Sequence, residues 1–498
     1  MEEQYTFPPQ PEDPRFPVQK RELIYGAALL VSSVFLWNCI LFGGMNLGFV
    51  MGYIALNGCT IWYLKASGHR FDGYSTALLA LSLVITLGFA RSNDGFVKLV
   101  MTLFLLFSVN LSYCLVTGQN RRHPGTIGSV LDAPRAFFVL GVANLGASAR
   151  GLNDARKNAG NAGKRSSAAL MGIALAIPVM FLLISLLMKA DAAFEGLMEL
   201  LPEPELQEPL QSLAFGAAGC WILFSRSLGL HFSQQKEGKK SDFAGISPIT
   251  VNILMSSVCL VYLVYLFSQL AYLSGGLSGI LPEGFTMAQY ARRGFFEMAW
   301  LSAINLGLMC LAMGLVEKKA KPRFTKGTCL FLGMVTLFLI TTASAKMFLY
   351  IGSYGLTRLR VLTQVIMVWL AITTVLVCVW LFKPKFAYMK AVVLAALVLG
   401  AAVIWADVDT LVARYNVRAY QSGQLQTVDV SHLRSLGSGA VPYLQELTGD
   451  ADPKVAEVAE KALKNRYTDI SDYREWNWAE ARAMDILESY REQAEVTS

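Results

Sequence analysis

Five basic residues and one acid offer the chemistry in this sequence. Arg292 and Arg293 with Glu297 in YARRGFFE (290–297), and Lys346, Arg358 and Arg360 in KMFLYIGSYGLTRLR (346–360), flank or interrupt apolar runs. At a membrane boundary such cations bind oxyanions, pair with carboxylates, or relay ions and protons. Glu297 follows Arg293 by four residues and so shares its helix face. By helical rise, Glu297 and Lys346 each lie roughly two turns inside an apolar segment. Ionisable residues at that depth normally face the bundle and pair, so the expected partner of Glu297 is Lys346 or Arg293.

Three readings fit the cluster. In the first the charges pair among themselves and with Asp407, Asp409 and the acidic tail, with Arg360 meeting one of those acids; charge networks of this kind are most often structural. In the second they hold an anionic ligand, such as a lipid head group or polyprenyl phosphate. A proton or ion path is the third. Tyr354-Gly355-Leu356 reads as a plain turn in which Gly355 takes positive φ. Arg226 in FSRSLGLHF and Asn305 are further buried-polar candidates, with helix–helix glue as the commoner role.

Other motifs are weak. GNAGKRSS (160–167) lacks the glycine spacing and the Ser/Thr after Lys of a phosphate-binding loop, and reads as a flexible basic loop. There is no Gly-x-Ser-x-Gly and no His-Glu-x-x-His. The four histidines are scattered without ligand spacing. The sequence therefore assigns no catalytic residue, no cofactor and no metal site, and gives no sign of nucleic-acid binding.

The elements that must position these residues follow from composition. A chain of 498 residues with 54% hydrophobic and 16% charged residues is a multi-spanning, all-α membrane protein. The eight cysteines lie in or beside apolar segments and read as small hydrophobes. Spans of about 20 apolar residues are predicted near 23–43, 46–64, 73–90, 96–117, 168–188, 211–229, 249–273, 290–315, 328–352, 359–382 and 390–406, eleven in all. Between the fourth and fifth, the loop 118–167 is strongly basic, which places it in the cytoplasm. Its moderately apolar part, 126–148, suits an interfacial or re-entrant helix. The loop 191–208 is acidic and belongs outside.

Under this count the Pro-rich lead, residues 1–22, is a disordered cytoplasmic segment with no cleavage-site pattern after it. The membrane domain is 23–406. Residues 407–498 form an extracytoplasmic helical domain with 10 Lys/Arg against 16 Asp/Glu, where the rest of the chain has 33 against 20. Within this tail, 432–447 and 449–466 read as one HEAT-like hairpin, with Val441, Leu444 and Leu447 facing Val455, Val458, Ala459, Ala462 and Leu463. A third helix from about 474 bears Trp476 and Trp478. One such repeat cannot bury its own core, so it packs on the third helix through those tryptophans or on the membrane domain.

YARRGFFE, LYIGSYGLTRLR, DVDTLVARYNV, GAVPYL and REWNW, in that order over roughly 250–480, resemble the bacterial multi-pass membrane family called domain of unknown function 4173, related to 4153. The resemblance implies a bacterial cytoplasmic-membrane protein but no activity or cofactor. It marks Tyr290, Arg292, Arg293, Glu297, Tyr354, Gly355, Arg360, Arg414, Tyr415 and Asn416 as recurrent residues. The expectation is a non-enzymatic signalling, scaffold or envelope-homeostasis component in the lipid bilayer, whose outer cluster docks the tail and meets an anionic lipid or protein partner. The alternative is a transporter or lipid-handling protein that binds an anionic head group at the same cluster; no inverted repeat supports transport.

Overall fold

The computed structural model describes residues 15–121, 125–158, 207–233, 245–276, 295–316, 323–466 and 470–497, with isolated positions at 468 and between 172 and 191. Among them the fold is all-α, without a strand. Nine described helices are long and apolar enough to cross a membrane: α1 (Lys20–Gly43), α2 (Leu47–Ala66), α4 (Gly95–Val116), α7 (Gln207–Phe232), α8 (Pro248–Gly276), α9 (Phe295–Leu315), α10 (Arg323–Tyr354), α11 (Arg358–Phe382) and α12 (Tyr388–Ala406). A broken pair, α5 (Gly128–Ala143) and α6 (Leu145–Asn158), bends by 51° and brings the number to ten if it counts as one span. The expected third span is present as the shorter apolar helix α3 (Gly73–Gly88). The fifth, 168–188, lies mostly outside the described residues, as does GNAGKRSS.

Polar residues at the helix starts explain the boundaries. Asp72 caps α3 by accepting from the Ser75 N–H at 2.8 Å. Asp94 caps α4 by accepting from the N–H groups of Phe96 (3.0 Å) and Val97 (3.1 Å). Gln19 and Glu22 form a capping box at α1. Residues 1–14 lie outside the described residues, and from there the chain is packed: Phe16 and Val18 are buried, and Phe16 stacks on Phe232. Large apolar side chains such as Ile249, Val261 and Phe267 on α8 point outward, which an apolar solvent permits.

Two cores organise the bundle. One joins α1–α7 and much of α12 to the tail; the other joins α8–α11 and the start of α12. In the second, Asn305 accepts from Tyr262 Oη (2.9 Å) and donates to Thr336 (3.1 Å), as helix–helix glue does.

The two ends of the bundle differ in chemistry. At one end Arg21 donates to the Ala66 carbonyl (3.1 Å), His69 meets His231 (3.0 Å) and Lys390 lies over the Tyr74 ring (4.8 Å). Arg15 there pairs with Asp154, and Arg135 reaches the Gln119 carbonyl. The tail covers the opposite end, where the α1–α2, α3–α4 and α10–α11 turns meet.

The tail begins at Asp407 and continues as α13 (Val408–Gln421), α14 (Val430–Ser435), α15 (Val441–Leu447), α16 (Pro453–Lys464) and α17 (Trp478–Thr497). Val441, Leu444, Leu447, Ala459, Ala462 and Leu463 are buried in one core, while Val458 is exposed. This hairpin packs on α17 through Ala483 and Leu487, and Trp476 and Trp478 stay partly exposed.

Candidate functional site

The three-residue turn between α10 and α11 is the centre of the covered end. Gly355 has φ +74°, and a Cβ there would stand 2.6 Å from the Asn416 Oδ1, so both backbone and space require glycine. Asn416, on α13, uses its whole amide on this turn. Its Oδ1 accepts from the Leu356 N–H at 2.6 Å and its Nδ2 donates to the Leu356 carbonyl at 2.9 Å. A loop that would otherwise bury an unpaired N–H and C=O is thereby satisfied by the tail.

Thr357 caps α11, and the next residue brings the two parts of the chain together. Arg358 donates from Nε and Nη2 to the two carboxylate oxygens of Asp409, with Nη2 to Oδ2 at 2.6 Å. Its Nε also lies 3.4 Å from Asp94 Oδ2. Asp409 accepts in addition from the Gly437 N–H at 2.8 Å. One guanidinium therefore bridges the cap of α4, the start of α13 and the loop before α15, a two-pronged geometry that Lys cannot reproduce.

Arg360, expected to pair with a tail acid, does something else. Its Nη1 donates to the carbonyls of Tyr354 (3.1 Å) and Gly355, and its guanidinium lies 4.1 Å from the Tyr350 ring centroid. It caps the end of α10, whose last carbonyls lack helical partners.

Asp407 joins α12 to α13 in the left-handed conformation, φ 50°. Its carboxylate accepts from Thr410 Oγ1 (2.5 Å) and Ser92 Oγ (3.4 Å). Burial raises its pKa above the usual carboxylate value, as it does for Asp94, where the Asp409 carboxylate adds to the shift and the Val97 N–H opposes it. Lys98 is buried beside them and donates to Asn46 Oδ1 at 2.6 Å, with Glu480, Asp407 and Asp94 as its charged neighbours.

A second seam lies across the α1–α2 and α3–α4 turns. Trp478 N–H donates to the Ala90 carbonyl (2.8 Å), and Leu47 N–H donates to the Trp476 carbonyl (3.1 Å). Between them Asn477 is fully buried and donates to the carbonyls of Ser92 (2.6 Å) and Phe89 (3.1 Å). Arg474 reaches Asn38 (2.9 Å) and Glu208 (3.3 Å) while held by Asp472, and Arg91 lies over the Trp478 ring at 4.9 Å.

The other expected residues divide. Tyr415 is half-buried against the second core, and Arg414 and Tyr354 are exposed. Glu297 is exposed at the start of α9, Lys346 is half-buried in α10, and no ion pair joins these two described residues. Tyr290, Arg292 and Arg293 lie outside the described residues, and so does a Glu297–Arg293 pair. Sequence reasoning missed Asp94, Lys98, Arg474 and Asn477. Asp94 carried a legible signal, since Ser92-Asn93-Asp94 precedes an apolar run as an N-cap should. Asn477, between two tryptophans, carried none.

The fold and this end define a polytopic, all-α protein of membrane type with a helical tail seated on one end of its bundle. The chain belongs to the family described as Domain of unknown function (DUF4153), whose model matches residues 73–447. The match starts at α3 and ends with α15, so it includes N-terminal helices that the resemblance left out and stops before REWNW. No curated protein and no solved structure matches the chain.

Proposed function

We propose that this protein is a non-enzymatic signalling, scaffold or envelope-homeostasis component of the bacterial cytoplasmic membrane, in which the seating of the tail on the outer end of the bundle is the functional variable. The bacterial membrane comes from the resemblance to domain of unknown function 4173. The cytoplasmic N-terminus and extracytoplasmic tail come from the charge bias: the basic residues Arg21, Arg135 and Lys390 gather at the end away from the tail. The carrying observation is the Arg358 bridge to Asp409 and Asp94. It occupies the guanidinium that an anionic head group would need, which favours docking over lipid handling at the same residues.

Two measurements test this reading. Phosphatase and fluorescent-protein fusions at the C-terminus report its side; phosphatase activity is expected, and cytoplasmic fluorescence would refute the outward tail. Arg358→Ala in the native host is expected to release the part of the tail that its bridge holds, read as faster proteolysis of 408–447 in spheroplasts, together with altered envelope permeability. A released tail with wild-type envelope behaviour would refute the functional role while leaving the dock intact as structure.

A further inference from the structure

Arg91 and Arg482 come from opposite sides of the seam between bundle and tail, and they share one indole. Arg91 follows α3, and Arg482 lies one turn into α17. Their guanidinium carbons stand 4.9 Å and 5.8 Å from the ring centroid of Trp478. That tryptophan is held in place by its N–H, which donates to the Ala90 carbonyl at 2.8 Å. Arg91 uses its Nε on the Trp405 carbonyl at 2.8 Å, and Arg482 is exposed. Among the described residues neither arginine forms an ion pair with an Asp or Glu. Asp407 is near enough to feel the charge of Arg91, but its carboxylate is turned to Thr410 and Ser92. Two cations on one ring repel each other, so an anion from outside the chain is favoured between them.

Two apolar stripes run toward this pair and face outward. On α3, Leu83 and Leu87 are exposed, and Arg91 continues their spacing of four residues through the turn where the Ser92 N–H donates to the Gly88 carbonyl at 3.2 Å. On α12, Val398, Ala402 and Trp405 are exposed at the spacing of one helix face. The stripes adjoin: Trp405 Nε1 donates to the Val84 carbonyl at 2.9 Å, and a Cβ at Gly88 would stand 2.6 Å from Ile404 Cγ2. In a membrane-spanning bundle such surfaces meet hydrocarbon. Trp405, next to last in α12, marks the level at which hydrocarbon gives way to head groups. Arg91, bonded to its carbonyl, stands at that level.

We propose that Arg91 and Arg482 bind the phosphate of an anionic phospholipid in the leaflet at the tail end, with its acyl chains along the α3 and α12 stripes. The guanidinium groups supply charge-assisted N–H donors to the phosphate oxygens. The net negative charge of the lipid, which a zwitterionic head group lacks, offsets the repulsion between the two cations. Arg91 and Trp405 belong to the bundle, whereas Trp478 and Arg482 belong to the tail. The site is therefore complete only when the tail is seated, and a lipid bound there stabilises the seat by linkage. This inference rests on the reading that tail seating is the functional variable, and it names anionic lipid as what sets it. It uses none of the residues of the Arg358 bridge.

The test places the full chain in nanodiscs of phosphatidylcholine alone, or of phosphatidylcholine with an equal part of phosphatidylglycerol, and follows hydrogen exchange over 470–497. In wild type phosphatidylglycerol is expected to slow this exchange by about fivefold or more, the scale set by one cation at an anionic surface. Arg482→Gln is expected to match wild type in phosphatidylcholine and to lose most of the slowing; Arg482→Lys should keep part of it. Arg91→Gln should lose the slowing from the bundle side, while Lys454→Gln, at an exposed tail lysine, should keep it whole. Thermal unfolding in phosphatidylcholine identifies the variants that are folded. Equal protection of the tail in both discs would overturn the lipid site and leave the docked tail standing; a tail that exchanges like unfolded chain in both would overturn the dock as well. Slowing that survives folded Arg482→Gln or Arg91→Gln, or that Lys454→Gln abolishes equally, would overturn the assignment. So would inorganic phosphate reproducing the effect in phosphatidylcholine, by showing a site for the free anion.

Discussion

Arg358 and Asp409, 51 residues apart, form a two-pronged ion pair with Nη2 and Oδ2 2.6 Å apart, and the same arginine faces Asp94 across 3.4 Å. The pair ties the start of α11 to the start of α13. Removing the guanidinium by Arg358→Ala leaves the buried Asp409 carboxylate without its ion-pair partner. A fully buried pair broken this way costs roughly 3–5 kcal/mol; with Arg358 about a third exposed, solvent screening lowers the expected cost to about 2 kcal/mol. Hydrogen exchange over 408–447 should accelerate in Arg358→Ala, and Arg358→Lys should recover only part of the protection. Unchanged exchange would remove Arg358 from its central place.

Arg360→Ala supplies the contrast. Its guanidinium serves the carbonyls of Tyr354 and Gly355 on its own hairpin. The expected loss is about 1 kcal/mol, the usual size for a hydrogen bond of this kind. Exchange should rise at 350–356 with the tail still protected. A tail as labile as that of Arg358→Ala would mean that the two arginines act as one unit.

The difference between these arginines shows where sequence legibility stopped. Apolar length and basic loops were enough to place most of the spans and to raise, as one of three readings, the pairing of an outer cation with a nearby acid such as Asp409. Those signals depend on local composition; which arginine faces the tail does not. Residues two apart on a helix point roughly 200° from each other, so the answer depends on how α11 rotates against α12 and α13. Asn477 lay deeper still out of reach, since its role is to satisfy carbonyls of the α3–α4 turn that only the folded tail brings near.

Asp94 and Asp407 make the dock sensitive to pH. Burial raises both above the ordinary value of 3.8, so the docked state binds protons more tightly than the released state. Where the docked state holds more protons, stability falls as pH rises. Docking should therefore weaken as pH increases from about 3.8 through the raised values, and level off above them. Tail release measured by proteolysis against pH should show this slope, and Asp94→Asn with Asp407→Asn should flatten it. A slope of opposite sign would overturn the assignment of the pH dependence to Asp94 and Asp407.

Gly355 and Asn416 predict a coupling. Gly355→Ala places a Cβ 2.6 Å from Asn416 Oδ1 and also strains a backbone at φ +74°. The backbone part costs about 1 kcal/mol or more and persists whatever stands at 416. The steric part vanishes once Asn416→Ala removes the amide. A double-mutant cycle followed by thermal unfolding should give a coupling of about 1 kcal/mol, within the range for residues in contact. Additive losses would show that the turn shifts to admit the methyl group.

Asn477 gives the test of the second seam. Its amide is buried and supplies donors to the carbonyls of Phe89 and Ser92, while its Oδ1 accepts from the Ala479 N–H at the start of α17. Asn477→Ala leaves those carbonyls buried without donors and α17 without its cap, at about 1–3 kcal/mol for the first and about 1 kcal/mol for the second. Asn477→Asp keeps the cap but turns a donor into an acceptor facing two carbonyls, and should be the worse of the two at neutral pH. Because this seam is separate from the Arg358 bridge, either variant should free 470–497 to protease while 408–447 stays protected. Simultaneous release of both segments would show that the tail docks as a single cooperative unit, with Asn477 and Arg358 as two contacts of one latch.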